Sequence, residues 1–308
     1  MRRLFGKEFV FAHVLLAALV LIVTCMPNQR LLNVSYYPLL VGFAIIEALY
    51  LLRLATLRRR GAFSSGPTDI VVLVWVLFIV WDVCATKLDI APTVIVPAPE
   101  AVFNVFPAQA DVIGADIVSS VTLLVMGYLG GLALGVALGI VCGWIPRLRA
   151  MFFPIANVLA PIPPTVFAPY LIVLLPTFRT ASCFIILLGV FWPQFLNMVV
   201  RTSSLDAQLL DNARTLGVRT FTMITRIILP YVFPEVLKGL RVSLTTAFLM
   251  LTFAEMLGAS SGIGYFISNA NNYANYTNVV AGIIVCGVVV TVLSFATAWV
   301  QRRFTTWR

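Results

Sequence analysis

Apolar residues in this chain fall into eight long runs, roughly 8–26, 38–55, 69–86, 116–142, 150–175, 180–201, 233–257 and 278–300. Short polar joints separate most of them, and two longer polar stretches, 87–115 and 202–232, interrupt the series. A run of ~18 or more apolar residues is long enough to cross a bilayer as a helix. In lipid every backbone amide must be satisfied within the protein, so spanning segments are helices or closed barrels. A barrel needs short segments of alternating polarity, which these runs are not. The pattern predicts an all-α polytopic membrane protein with about eight transmembrane helices.

Basic residues give the direction of threading. With the N-terminus placed in the cytoplasm, 18 of the 21 Lys and Arg residues fall on that side: Arg2, Arg3, Lys7, Arg53, Arg58, Arg59, Arg60, Arg147, Arg149, Arg201, Arg214, Arg219, Arg226, Lys238, Arg241, Arg302, Arg303 and Arg308. Only Arg30, Lys87 and Arg179 fall outside. Both termini and the 202–232 loop are therefore expected in the cytoplasm. The Arg58-Arg59-Arg60 cluster also suits an anionic lipid surface.

Composition agrees: 61% of the 308 residues are hydrophobic and 11% charged, against roughly 25% charged in soluble domains. A net charge of +9 would suggest nucleic acid in a soluble protein, but here the basic residues are topology signals and no nucleic-acid partner is expected. Cys25, Cys84, Cys142, Cys183 and Cys286 lie in or beside apolar runs without a CxxC pair, and read as small buried hydrophobes. The N-terminus has no A-x-A-like cleavage site and reads as an uncleaved first span. His13 is the single histidine, so no catalytic residues and no metal site are expected. No G-x-x-x-x-G-K-[ST] occurs, and the chain has no such loop for ATP.

The 202–232 stretch is the most informative. Ser203 with Asp206 three residues on reads as a capping-box start. Leu205, Leu209, Ala213 and Leu216 recur at helical spacing. Gly217 interrupts and permits a sharp bend and a close backbone approach. Val218, Phe221, Ile224 and Ile228 then mark one face of a second amphipathic helix, which Pro230 is expected to end, with Pro234 at the start of the next helix. A helix–turn–helix of this kind beneath a membrane can seat in a groove of a partner or rest on lipid headgroups. The residues alone leave both open.

The 150–175 run holds Pro154, Pro161, Pro163, Pro164 and Pro169. That density predicts a broken span, which serves as a gate or ligand site or is simply kinked against a neighbour. Glu255, near one end of its span, is an intramembrane carboxylate and a functional candidate, or else a hydrogen-bond partner of the Ser260-Ser261 turn. Thr245, Thr246 and Thr252 either line a pathway or bond to the preceding turn. Glu47 and Asp82 are further candidates.

One spacing is diagnostic. Asp211-Asn212-Ala213, three residues, Gly217, nine residues, Ile227-Ile228-Leu229-Pro230 resembles the EAA loop of ABC importer permeases, with Asp211 and Asn212 departing from the usual Glu and Ala. Ala160-Pro161-Ile162-Pro163-Pro164 resembles the R-P-I-P-P segment of the nitrate/sulfonate/taurine-type permeases. The stretch from Val96 to Val102 resembles their P-S-P-x-x-V segment, and Ala254 to Tyr265 is similar to their A-E-M-L-G-A-S-S-G-L-G-Y segment. The resemblance covers roughly 69–300. It implies a type I ABC importer permease core of six spans within residues 61–308, preceded by two additional spans in 1–60. It also implies a bacterial cytoplasmic (inner) membrane location. Asp211, Asn212, Ala213, Gly217, Ile227, Leu229 and Pro230 would carry the coupling to a cytoplasmic ATPase. Pro161, Pro163, Pro164, Thr165, Thr252, Glu255, Ser260 and Ser261 are the candidates for the substrate pathway or gate. The implied partners are ABC ATPase subunits, an external solute-binding protein and a second permease copy. The chain would need no cofactor of its own, ATP and Mg being held by the ATPase. The competing reading is an ion-coupled secondary transporter, which predicts inverted repeats and paired broken helices.

Overall fold

The computed structural model describes residues 7–30, 33–59, 65–92 and 94–304. Arg2, Arg3, Arg60 and Arg308 lie outside the described residues, as do the side chains of Leu209, Asp211 and Arg214. Among the described residues, seven helices are long and apolar enough to cross a bilayer: α1 (Lys7–Cys25), α2 (Tyr37–Arg59), α3 (Gly66–Lys87), α5 (Ala110–Trp144), α8 (Phe178–Ser203), α10 (Thr220–Met256) and α12 (Tyr276–Phe304). Shorter helices lie between them: α4 (Pro99–Ala108), α6 (Pro146–Leu159), α7 (Ala168–Leu174), α9 (Ala207–Thr215) and α11 (Ile263–Asn272). The proline-rich run is broken as its sequence predicts. Helix α6 and the segment Pro164–Leu174, a single 3₁₀ turn followed by α7, meet at 84°.

The chain forms two compact units, one of residues up to Ile113 with Asn269–Ile283, the other Gly114–Ser268 with the remainder from Ile284. In the first, α1 and α2 pack on α3, and α2 also packs on α4. Its core is aromatic: Phe43 meets Trp75 and Phe78 edge-on, and Phe78 meets Phe103. Gly42 is required there because any Cβ would run into the Phe103 ring. His13 Nε2 lies 3.0 Å from Glu47 Oε1, so two of the polar groups noted in the sequence pair with each other across α1 and α2.

A widened π-type turn, Val83–Lys87, ends α3 and turns Lys87 inward. Lys87 is 1% exposed. Its ammonium donates to Val23 O, Met26 O and Asn28 Oδ1, so it caps the C-terminal carbonyls of α1, the end of a helix dipole that favours a cation. Asp82 and Glu100 lie buried beside it, and Thr86 donates to Glu100 Oε2. Arg30 donates to Asp89, Ala91 O and Val96 O, fixing the following loop. Removing one partner from a buried charged cluster costs about 3–5 kcal/mol. Lys87→Met is therefore expected to lower the apparent melting temperature of the detergent-purified chain sharply, whereas an unchanged melting curve would contradict this account of the unit.

In the second unit α5 lies directly against α8. Gly127, Gly131, Gly135, Gly139 and Gly143 recur every fourth residue, on one helix face. A Cβ at Gly131 would stand 2.6 Å from Leu187 O, one at Gly139 2.7 Å from Phe195 O, and one at Gly143 2.9 Å from Val199 O. Small residues at such a seam let helix backbones approach in lipid, where hydrophobic driving force between helices is absent. Tyr128, on the same helix, donates to Leu240 O and lies 3.0 Å from Ser243 Oγ, joining α5 to α10.

Several local expectations fail. Of the five cysteines read as buried, Cys142 alone is buried, Cys25 is exposed and the other three are half-buried. The cap of α9 is Asp206 rather than Ser203: Asp206 Oδ1 accepts from Gln208 N, while Ser203 is the last residue of α8 and bonds back to Val200 O. Pro230 does not end a helix, nor does Pro234 begin one, because α10 runs continuously from Thr220 to Met256. The turn Met223–Ile228 is widened, with Leu229 N–H reaching back five residues to Ile224 O. That change of bonding pattern accommodates the N–H that Pro230 lacks.

Candidate functional site

The 202–232 loop leaves α8, forms α9 and turns at Gly217 into α10. Gly217 has φ +69°, and Val218 N–H bonds to Ala213 O, the six-to-one closure of a Schellman turn. Leu216 N–H bonds to Asn212 O in the same turn. Nothing in the chain lies within 4 Å of a Cβ built on Gly217, so its backbone geometry, not internal crowding, demands glycine. Leu205 and Ala213 are buried against the body, whereas Leu216 is 82% and Phe221 77% exposed. Phe221 thus leaves the face it was expected to share with the buried Ile228. Ile227 is half-buried, and Asn212, Leu229 and Pro230 are exposed. The turn therefore presents two bare apolar side chains at one end of α10.

At 37 residues and about 1.5 Å per residue, α10 is roughly 55 Å long. A cleft runs along it against α8. One part, about 240 Å³, is lined by Gln194, Asn197, Arg201, Glu235 and Lys238, and an adjoining part of about 170 Å³ by Gln194, Asn197, Ser243 and Thr246. Arg201 donates to Glu235 at 2.8 Å, with Lys238 3.6 Å from the same carboxylate. Polar and ionisable side chains within membrane-spanning helices are candidates for a solute pathway, and amides and hydroxyls there also hydrogen-bond between helices. Sequence reasoning passed over Gln194, Asn197 and Ser243. Their available signal was polarity inside the 180–201 and 233–257 runs.

The other pathway candidates gather toward the far end of α10. Pro161 and Pro163 are exposed at the bend, Thr165 is half-buried, and Pro164 is buried beside Gly189 of α8. Ala168 of α7 packs with Ile185 and Ala254, bringing the broken span next to Glu255. Thr252, Thr245 and Thr246 bond the carbonyls of the preceding turn. Glu255 is 1% exposed. Its Oε1 accepts from Ser120 Oγ at 2.6 Å and its Oε2 from Gly264 N at 2.8 Å. Gly262 (φ +120°) lies so close that any Cβ would strike that carboxylate. Ser260 and Ser261 are exposed, and Ser261 Oγ is 3.0 Å from Ser119 Oγ. Among the described residues, no three His, Cys, Asp or Glu side chains form a metal-binding group.

Residues 135–307 match the family of binding-protein-dependent transport system inner membrane components. A putative aliphatic sulfonates transport permease of Bacillus subtilis (strain 168) is 29% identical over 254 residues, 82% of this chain and 90% of that protein. The taurine transport system permease of Escherichia coli (strain K12) is 26% identical, covering 82% and 91%. A nitrate import permease of Synechococcus elongatus is 30% identical, covering 62% and 69%. Among solved structures, an inward-facing conformation of the MetNI methionine ABC transporter aligns with a TM-score of 0.57 and 16% identity, over 64% of this chain and 98% of that one.

Proposed function

This chain belongs to the family of binding-protein-dependent transport system inner membrane components, and from that premise we propose how it works as the permease subunit of an ABC importer. The Gly217 turn seats in a cytoplasmic ATPase, which alone holds ATP and Mg. A solute-binding protein outside delivers a small solute, an organic anion, sulfonate or vitamin precursor, to a pathway along α8 and α10, completed by a second copy of the chain. Both termini face the cytoplasm of a bacterial inner membrane. Residues 61–308 form the permease domain and 1–60 contribute two added helices. Asn212, Ala213, Gly217, Ile227, Leu229 and Pro230 shape the docking turn, along with Asp211, whose side chain lies outside the described residues. Pro161, Pro163, Pro164, Thr165, Thr252, Glu255, Ser260 and Ser261 frame the outer part of the pathway.

One observation carries this reading. Leu216 and Phe221 stand exposed around Gly217 at one end of the same helix that lines the polar cleft and carries Glu255 in its last turn. Movement imposed on the turn by a nucleotide-driven partner is transmitted along α10 to the cleft. The sulfonate and small-anion part of that class follows the names of the relatives, and the vitamin-precursor part follows the resemblance of the sequence motifs to the nitrate/sulfonate/taurine-type permeases.

The test uses proteoliposomes containing the chain and the ATPase encoded beside it, with the neighbouring binding protein added outside. Radiolabelled taurine, an alkanesulfonate and nitrate are supplied in turn. Uptake of one of them that requires internal ATP is expected. Uptake driven by a proton or sodium gradient without ATP would establish the ion-coupled carrier instead.

A further inference from the structure

We propose that Asp116 and Ser120 are positioning residues that, together with Glu255, hold the 257–262 loop as the outer lip of the pathway. The inference rests on the pathway reading above and assigns a task to two residues outside every motif of the chain.

Helix α11 has 10 residues and is about 15 Å long, too short to cross a hydrocarbon core of about 30 Å. Its first N–H groups have no partners within the helix and must be satisfied from elsewhere. Three side chains from two other helices do so in succession. Gly262 N donates to Asp116 Oδ1 at 2.7 Å, Ile263 N to Ser120 Oγ at 2.8 Å, and Gly264 N to Glu255 Oε2 at 2.8 Å. Ser120 accepts from the helix start and donates to Glu255, so it links the two helices that supply the clasp. All three side chains are buried.

Carboxylates accepting backbone N–H bonds at a helix N-terminus are favoured by charge-assisted hydrogen bonding and by the helix dipole. Asp116, Ser119 and Ser120 sit at i, i+3 and i+4 on α5, one face of that helix. Lower down, the same α5 is seated by its glycines on α8. The lip is thereby referenced through α5 to α8, one of the two helices that line the cleft. Leu257, Gly258, Ser260 and Ser261 of the loop are exposed. The loop's attachment to α5 at this point is polar, through Ser261, Gly262 and Ile263, so removing the acceptors releases it.

A cysteine pair reads the position of the loop without the ATPase or any solute. Ser119→Cys with Ser261→Cys replaces hydroxyls 3.0 Å apart and suits a disulfide. In native membranes treated with copper phenanthroline, this bridge is expected to form readily, scored by mass spectrometry of the joined peptides. Adding Asp116→Ala is expected to reduce its yield about tenfold, in keeping with loss of a charged hydrogen bond. Asp116→Asn, which keeps the acceptor, restores it. If Asp116→Ala does not accumulate, Ser120→Ala serves in its place, with the same reduction expected. Failure of the parent pair to bridge, or equal yields in the parent and the acceptor-free variant, overturns the clasp. Separately, Ser260→Cys is expected to react with a membrane-impermeant maleimide from outside. Absence of that labelling with the bridge intact would contradict the pathway reading while leaving the clasp standing.

Discussion

Gly217→Val is expected to reduce ATP-driven uptake by tenfold or more while leaving the chain folded and in the membrane. The residue holds φ +69°, a region that costs an L-residue roughly 1–2 kcal/mol and a β-branched one more. A penalty of about 1.4 kcal/mol already shifts a population tenfold. The strain falls on the turn alone, since a Cβ there meets nothing within 4 Å. The exposed Leu216 and Phe221 on either side of the turn would be displaced while the core helices keep their places. Asparagine tolerates the left-handed region, so Gly217→Asn separates two causes. Recovery of uptake shows that the backbone angle is what matters. Loss in both variants, with the chain still folded, shows that a partner approaches the bare Cα too closely for any side chain.

The second large effect is expected at the α5–α8 seam. Gly139→Leu puts a Cβ 2.6 Å from Met198 Cβ and 2.7 Å from Phe195 O, and a helix backbone cannot yield as a side chain end can. Overpacking of this kind costs about 1–3 kcal/mol where neighbours adjust, and here two whole helices must part. Little monodisperse protein is expected from detergent extracts of this variant. Gly114→Ala and Gly287→Ala are the controls. Neither meets an atom within 4 Å, and replacing glycine by alanine in a helix is worth up to about 1 kcal/mol, so both are expected to match or exceed the parent in yield. Parent-like behaviour of Gly139→Leu would show that the seam is not close-packed.

The spans were legible because long apolar runs admit few other structures. The break at Pro161–Pro164 was legible because proline removes donors that lipid cannot replace. The Gly217 turn was visible as a lone glycine between two amphipathic stretches. Its continuation was not. Prolines at 230 and 234 argued for a stop and a restart, and a single widened turn at Met223–Ile228 carries the helix through instead. The glycine ladder from Gly127 to Gly143 was present in the sequence as a strict four-residue repeat, and it names a helix–helix seam without naming the partner helix. The clasp was beyond reach. Asp116 lies 146 residues from Gly262 and Ser120 135 residues from Glu255, and no local pattern joins them. Glu255 was visible as a buried carboxylate, but that its oxygens accept from a serine of α5 and a backbone amide of α11 is a property of the packing. Gln194 and Asn197 were present in an apolar run, yet only the facing helix makes a cleft of them.

The most direct test of the central claim asks what Leu216 touches. The photoreactive residue p-benzoylphenylalanine is placed at position 216, and the chain is expressed with the ATPase encoded beside it and illuminated in native membranes. A covalent adduct of chain and ATPase is the result the docking account predicts. Illumination that yields only lipid adducts, with the ATPase present and unmodified, would place the loop on the membrane surface and contradict it.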